Sequence, residues 1–495
     1  MKNKITTKNG GYLIEQNHLE NYPWVLGLQG SPYEMGYQHG YLLAELIRKT
    51  ASGFLTPTYA QFGGWQPDSG NAPLMDQVKA GRELLISVYN RYFEPNLKQQ
   101  APDLLEEMDG IADGVREAGT GIPKQDILIG NCIPEITEMV FYLPDSDPTC
   151  TENAVESKGC SDCVTWGKAT RNGYLLHGTN YDYATFGVLH KGVGVTVVKP
   201  NQGNSFLAQC LAGMVGYYRG MNTMGITTGE PTSDSADRDI KNNGRIPHAM
   251  HMRKLIQFSN NVRDAIHLMN ELKGTTGFNH VVADSKSNEV VDIETSCTKL
   301  GVVHPGKELD ALWSCNQSVA YPGFNGYEGT NLVLDQLRYW KADVDKVNDI
   351  ESWQSVARVE TDKRSYSWQR FEKLENLVKE HYGSIDVDKM IRILSSWPLS
   401  RPVDERVTLA ESCDQLYNIH APIKNMKLAS IFSAVFDPQN NTAWIAVGAE
   451  PAQAGIYWPI NLSAYLNLLQ QSPTSETIPD VIYSDGKPGR FKDSS

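Results

Sequence analysis

A chain of 495 residues, 40% hydrophobic and 21% charged, has the composition of an ordinary globular protein with enough length for a large core. Length alone suggests two or three domains. The formal net charge of −13 argues against a nucleic-acid binder and disfavours anionic membranes, because no basic stripe stands ready to displace phosphate counterions. No apolar run approaches the ~18 residues of a membrane span.

The N-terminus, Met1 to Gly11, carries basic residues with no apolar segment behind them. The chain therefore reads as cytoplasmic, or as exported if a signal peptide has been removed. Residues 1 to about 150 read as mainly helical. Ser31, Pro32 and Glu34 spell the start of a helix: an N-cap, a first-turn proline and a capping-box acid three residues on. Gly36 and Gly40, four apart, lie on one helical face where another backbone can approach. Further helices are predicted over 75–92 and 103–118. The polar, Pro-containing stretch 142–157 reads as an exposed connection.

After position 160 the texture changes to short β-rich runs separated by turn signals. Strands are predicted over 163–169, 174–182, 192–199, 205–214 and 225–229. A helical block over 248–272 precedes strands over 280–284, 289–294 and 299–303. Helices follow over 329–345, 367–381 and 386–396. A last hairpin pairs 428–436 with 442–447. Strands and helices alternate in blocks, which favours α+β with antiparallel sheets over a doubly wound sheet. No GxGxxG or Walker lysine loop suggests a nucleotide cradle.

Gly159-Cys160-Ser161-Asp162-Cys163 heads the first of these strands. The CxxC spacing raises a redox or zinc reading, but no second metal-ligand pair completes a tetrahedral site. In a strand, positions 160 and 163 face opposite ways, so the two sulfurs diverge. The eight cysteines (132, 150, 160, 163, 210, 297, 315 and 413) are too thinly spread for a disulfide scaffold. As a nucleophile, Cys160 needs a base and a nearby carboxylate. A three-residue turn at Arg171-Asn172-Gly173 sets position 162 opposite 182 and puts Cys160 and Asp182 on one face. A two-residue Asn-Gly turn puts them on opposite faces. His248 and His251, with Met250 and Met252, read as one helix face, not a cofactor box. The aromatics Trp166, Tyr181, Tyr183, Phe186, Tyr217 and Tyr218 divide between core packing and the lining of an acyl pocket.

Gly159-Cys160, the strand to Thr170, the turn at Gly173 and Gly178-Thr-Asn-Tyr-Asp182 together resemble the isopenicillin N acyltransferase-like peptidases. These belong to the choloylglycine-hydrolase-like branch of the N-terminal nucleophile (Ntn) hydrolases. The resemblance extends through Gly30–Gly40, residues 219–230, 276–284 and 429–448. It implies a four-layer αββα sandwich with a mainly helical N-terminal segment. It also implies autoproteolysis between Gly159 and Cys160, giving residues 1–159 as propeptide or small subunit and 160–495 as catalytic domain. Cys160 then matches the nucleophile, Asp182 the aspartate supporting its amine and thiol, and Asn279 a side-chain donor to the oxyanion hole. The backbone at Gly229 and Glu230 matches a second donor. Asn180, Tyr181 and Tyr218 stand as substrate-side candidates, and Arg370 as the candidate for a later family arginine. Related bile-salt-type enzymes carry an arginine near the place held here by Thr179.

The expected activity is hydrolysis of a small-molecule or peptide-like amide through a Cys160 acyl-enzyme, or transfer of its acyl group to an acceptor amine. The alternatives are a thioesterase or phospholipase-like esterase on the same scaffold, and an uncleaved, non-catalytic binding protein. No cofactor and no metal are called for. The expected partners are the substrate and the two processed fragments of the chain itself.

Overall fold

A computed structural model of the chain describes residues 4–65, 73–136, 159–184, 188–232, 246–272, 277–295, 300–306, 309–315, 318–321, 326–329, 366–396, 428–449, 451–471, 473–474 and 476–479. The connection read over 142–157, the helix read over 330–345 and Phe186 lie outside the described residues.

Three strands come first: β1 (Lys4–Lys8), β2 (Gly11–Glu15) and β3 (Val25–Gly30). The mainly helical reading of this region missed them. They are five or six residues long, and only the tertiary pairing of β3 with a strand beyond Cys160 gives them a place. Helices then dominate, from α1 (Pro32–Leu42) and α2 (Ala44–Thr50) through α3 (Thr56–Phe62), α4 (Met75–Val88) and α5 (Glu94–Gln100) to α6 (Pro102–Glu117) and α7 (Lys124–Gly130). The predicted capping box forms: the Glu34 backbone N–H donates to Ser31 Oγ, and the Ser31 N–H donates to the Glu34 carboxylate. Gly36 and Gly40 face α6, where a Cβ on either would run into the carbonyls of Glu107 and Ile111. Gly110 and Gly114 of α6 return the contact against Tyr33 and Tyr37. Close backbone approach is the reason for glycine there.

The hairpin at the centre is β4 (Gly159–Gly167) and β5 (Gly173–Ala184). There follow β6 (Val193–Pro200), β7 (Phe206–Leu211), β8 (Gly220–Asn222) and β9 (Ile226–Gly229). The helical block is two helices, α8 (His248–Phe258) and α9 (Val262–Glu271), with Asn261 capping the second through the Asp264 N–H. Strands β10 (Phe278–Asp284), β11 (Glu289–Thr295), β12 (Leu300–His304), β13 (Ala311–Cys315), β14 (Ser318–Tyr321) and β15 (Gly326–Gly329) come next. Helices α10 (Tyr366–Glu380) and α11 (Val387–Ser395) precede β16 (Leu428–Asp437), β17 (Thr442–Val447), β18 (Trp458–Asn461) and α12 (Leu462–Gln471).

Among the described residues the strands form two sheets. One runs β1-β2-β3-β6-β7-β8-β9-β10-β11-β12-β15 and the other β14-β13-β4-β5-β16-β17-β18. All pairings are antiparallel except β3 with β6. The sheets face each other: Val25, Val193, Val195 and Leu207 of the first pack with Cys160, Tyr181, Phe432 and Ile445 of the second. Their outer faces carry helices. Leu28, Phe206 and Cys210 pack under α1, α6 and α7, and Val282, Val291 and Ile293 under α8 and α9. Leu176, Trp313 and Val435 pack under α10 and α11. The fold is therefore an α+β sandwich of helices, sheet, sheet and helices. β1–β3, in the first 159 residues, are built into the same sheet as β6 and its successors.

Candidate active site

The β4–β5 register differs from the one expected of a three-residue turn. Gly159 lies opposite Asp182, Cys160 opposite Tyr181 and Asp162 opposite Thr179. β4 ends at Gly167, which has φ +52°, and the ladder shifts between Thr165 and Gly167. The Asp310 carboxylate then takes the Lys168 N–H at 2.6 Å, and Thr170 bridges Ile385, so the connection is longer than Arg171-Asn172-Gly173. Residues opposite each other share a face and the period is two. Cys160 therefore shares its face with Tyr181 and Thr179, and Asp182 points out of the other face. The shared-face arrangement of Cys160 and Asp182 is corrected.

The inner face, between the sheets, holds the thiol. Cys160 is buried in the inter-sheet core, whereas Cys163 lies in the outer core with Trp313 and Phe371, so the two sulfurs do diverge. Burial pushes the Cys160 thiol up, and the Arg219 charge pulls it back down. The Asp182 and Asp162 carboxylates add to the rise, while a hydrogen bond from the Asp182 backbone opposes it. Arg219 stands just before β8 and is fully buried. Its Nε donates to Thr179 Oγ1 at 2.6 Å, and its Nη2 to the Glu230 carbonyl at 3.1 Å and the Asn180 carbonyl at 3.3 Å. Its guanidinium lies 4.7 Å over the Tyr181 ring.

Further along the same face, His177 Nε2 meets Asp162 Oδ1 at 3.2 Å and His177 Nδ1 meets Thr227 Oγ1 at 2.9 Å, all three side chains buried. A Cβ on Gly229 would strike the Asp162 carboxylate, so only a glycine admits that carboxylate against β9. Asn279 of β10 reaches across to the second sheet, its Nδ2 donating to Ser314 Oγ at 3.1 Å and to the Cys315 carbonyl at 3.4 Å. Ser314 lies opposite Asp162 and Cys315 opposite Ser161, which brings Asn279 to the strand beside Cys160. The Asn279 N–H donates to the Pro231 carbonyl at 2.9 Å, so the turn after Gly229 and Glu230 runs beside it. The Glu230 carboxylate itself turns to the outer side, 3.6 Å from His280 Nδ1.

The outer face holds the carboxylate. Arg370 of α10 donates through Nη1 to the Cys160 carbonyl at 2.7 Å and to Ser161 Oγ at 3.1 Å, and lies 3.5 Å from Asp182 Oδ2. Ser430 Oγ donates to Asp182 Oδ1. Burial raises the Asp182 carboxyl above its usual range, against the pull of Arg370 and Ser430. Asn180 points to the same side. It takes a hydrogen bond from Ser433 Oγ at 2.6 Å and donates to the Leu394 carbonyl at 3.2 Å, away from the thiol.

Beside the thiol, Tyr181 stacks on Tyr218 with centroids 5.1 Å apart and on Tyr183 at 5.9 Å. These three rings line a cleft. Its other wall comes from upstream of Cys160, including Ile47, Thr50, Phe54, Leu55 and Ile127. Tyr217 packs instead on Phe206 in the core under the helices. Of the predicted candidates, the structure gathers Cys160, Gly159, Asp182, Tyr181 and Arg370 around one peptide, with Gly229 against Asp162, the Glu230 carbonyl on Arg219, Asn279 one strand away and Tyr218 at the cleft. Sequence reasoning gave no role to Arg219, Asp162, His177 or Ser430. A readable signal for Arg219 was present: a charged residue inside the buried run Val215 to Met221 needs a partner.

A family model described as acyl-coenzyme A:6-aminopenicillanic acid acyl-transferase matches residues 169–452, beginning downstream of Cys160. An uncharacterized protein of Archaeoglobus fulgidus is 25% identical over 381 residues, covering 77% of this chain and 58% of that protein. Protein dcd1B of Dictyostelium discoideum is 22% identical over 326 residues, covering 65% and 57%. The chain thus spans less than two thirds of the length of these relatives. Among solved structures, penicillin V acylase from Agrobacterium tumefaciens aligns at 13% identity and TM-score 0.37, covering 61% of this chain and 86% of that one. A mutant form of conjugated bile acid hydrolase from Clostridium perfringens aligns at 12% and 0.35, covering 61% and 92%. An N-acylethanolamine-hydrolyzing acid amidase ortholog from Caenorhabditis elegans aligns at 14% and 0.34, covering 56% and 93%.

Proposed function

The chain belongs to the acyl-coenzyme A:6-aminopenicillanic acid acyl-transferase family, and from that premise we propose that it is a self-processing cysteine amidohydrolase with Cys160 as nucleophile. The observation that carries this reading is the setting of the Gly159–Cys160 peptide. It lies at the head of β4, with the thiol on one face, Asp182 and Arg370 on the other, and an aromatic cleft alongside. A peptide in the plane of a sheet is within reach of groups on both faces, so the thiol and the carboxylate serve it from opposite sides.

In maturation the Cys160 thiolate attacks the Gly159 carbonyl carbon. The C–S bond forms, the C–N bond breaks, and the departing nitrogen takes a proton to become the α-amine of Cys160. Water then opens the thioester, releasing the Gly159 carboxylate and restoring the thiol. Gly159 suits this step because it has no Cβ to resist a distorted peptide. The new α-amine, with an ordinary pKa of about 7.7–8.0, becomes the base that takes the thiol proton in each later turnover. Asp182 and the Cys160 carbonyl, held by Arg370, fix that amine in place.

In turnover the thiolate attacks the substrate amide, the amine protonates the leaving nitrogen, and water hydrolyses the acyl-enzyme. Asn279 Nδ2 exchanges its longer bond, to the Cys315 carbonyl, for the oxyanion, and a backbone N–H after Gly229 supplies the second donor. The acyl group is apolar, because the cleft beside Tyr181 is walled by aliphatic and aromatic side chains. Since half of that wall lies upstream of Cys160, the N-terminal fragment stays bound after cleavage. Hydrolysis is preferred to acyl transfer because water needs no dedicated site.

Mass spectrometry of the purified protein tests the reading. Two fragments, the larger beginning at Cys160, are expected, with Cys160→Ala intact and Cys163→Ala cut as usual. A single uncut chain with an unmodified Cys160 would sink it.

A further inference from the structure

The buried inner face contains one cation, among the described residues, whose position no fold requirement accounts for. Arg219 is fully buried between two sheets. Three of its contacts are spent on holding it still: Thr179 Oγ1 and the carbonyls of Asn180 and Glu230. Its Nη1 has no hydrogen-bond partner among the described residues. A buried guanidinium nitrogen left open costs stability unless something occupies it. The register sets the guanidinium beside the strand that carries the thiol. Tyr181, over which the guanidinium is stacked, is directly opposite Cys160, and Thr179, which anchors Nε, is opposite Asp162. The thiol and the guanidinium are near enough for their charges to act on each other.

We propose that Arg219 is the cation that holds the Cys160 sulfur in its anionic, nucleophilic form, supplied from the first sheet and locked to the second through Thr179. The inference rests on Cys160 being the nucleophile. The other charged or titratable groups around the sulfur work against the anion or act elsewhere. Asp162 on β4 and Asp182 on β5 repel it, and Tyr181 and the Cys315 thiol are neutral. Arg370 on α10 spends its Nη1 on the Cys160 carbonyl and Ser161 on the far face. Among the described residues, Arg219 is the cation that acts on the sulfur from its own face. The arrangement also explains why both sheets are needed for chemistry. The nucleophile comes from β4 and its counter-charge from the segment entering β8.

Self-cleavage separates this role from that of the α-amine, which does not exist until the chain is cut, so the pH dependence of cutting is free of the amine, and the difference between natural chain and variant isolates the thiol from the buried carboxyls Asp182 and Asp292. The protein is made by cell-free synthesis in buffers from about pH 6 to about pH 10, and fragment formation is timed by mass spectrometry. Arg219→Gln removes the charge while keeping a donor. Its cutting midpoint is expected at least about one pH unit above that of the natural chain, with cutting about tenfold slower near neutrality and recovered in alkali. Arg219→Lys keeps most of the neutral-pH rate. Thr179→Val, nearly isosteric, frees Nε and moves the midpoint the same way by less. Cutting of Arg219→Gln and Thr179→Val with the unaltered pH profile overturns the proposal. So does Arg219→Gln that melts cooperatively yet cuts at no pH, because a missing charge is repaired by alkali. Failure of the natural chain to cut at any pH is a different result, and removes the self-processing reading itself.

Discussion

Replacing Arg370 with methionine tests the outer half of the site with a definite sign and size. The guanidinium is buried 3.5 Å from Asp182, so at an effective dielectric of ~20 their attraction is about 5 kcal/mol before desolvation is counted. Breaking such a pair by removing one partner costs about 3–5 kcal/mol. The sign with pH follows from the carboxyl. Burial already raises the folded pKa of Asp182 above its unfolded value, so stability from this group is complete at low pH and is lost as pH rises through the folded pKa. Without Arg370 that folded pKa moves higher, and the loss becomes larger. The deficit of Arg370→Met is therefore small at about pH 4, about 1 kcal/mol for the lost bond to the Cys160 carbonyl, and grows to about 3 kcal/mol or more by about pH 7–8. Urea unfolding followed by tryptophan fluorescence reads this directly, since Trp313 packs 6.0 Å from Phe371, next to Arg370 in sequence. Adding Asp182→Asn should recover part of the loss at about pH 8. A deficit that stays constant across that range refutes the coupling, and with it the placement of a charged Asp182 under the Gly159–Cys160 peptide.

Three other outcomes follow from the same geometry. Asn279→Ala should lower kcat on an apolar-acyl anilide by about 10²–10³, the usual effect of losing one oxyanion donor, and a loss under about threefold would remove Asn279 from that role. Asp292 lies between the sheets with its carboxyl pushed up to about 7 by burial, so its stabilising neutral form is lost as pH rises from ~4 through ~7, at a cost of ~4 kcal/mol at most. Asp292→Asn should then gain on the natural chain in thermal melts at about pH 8 relative to about pH 5; a gap independent of pH would contradict it. Gly36→Ala drives a Cβ into the Glu107 carbonyl and should cost about 1–3 kcal/mol, seen as a lower melting temperature with unchanged cutting before Cys160.

Local rules carried the reading of the sequence a long way, and they failed where distance in the chain mattered. The helix start at Ser31 is set by neighbours a few residues away, and the four-residue spacing of Gly36 and Gly40 alone puts both on one helical face. β1–β3 were missed because their place is made by β6, far along the chain. The register of β4 on β5 was missed because Gly167, Asp310 and Ile385 lengthen the turn, and two of those three are remote in sequence. Arg219 was overlooked for a related reason. Its partner Thr179 stands 40 positions away and on another sheet.

The corrected register makes better chemical sense than the expected one. A second carboxylate on the thiol's face, beside Asp162, would add to the competition with the sulfur for Arg219. With Asp182 on the outer face, its carboxylate meets Arg370 there, while Arg219 stands on the thiol's side over the Tyr181 ring. The Gly159–Cys160 peptide lies in the plane that separates them, with the Cys160 carbonyl held to Arg370. Cutting there would release an amine into that plane, within reach of the carboxylate on one side and the thiol on the other. A base created by the cut needs no further side chain to be delivered to it, which is consistent with a site in which His177 is tied to Asp162 and Thr227.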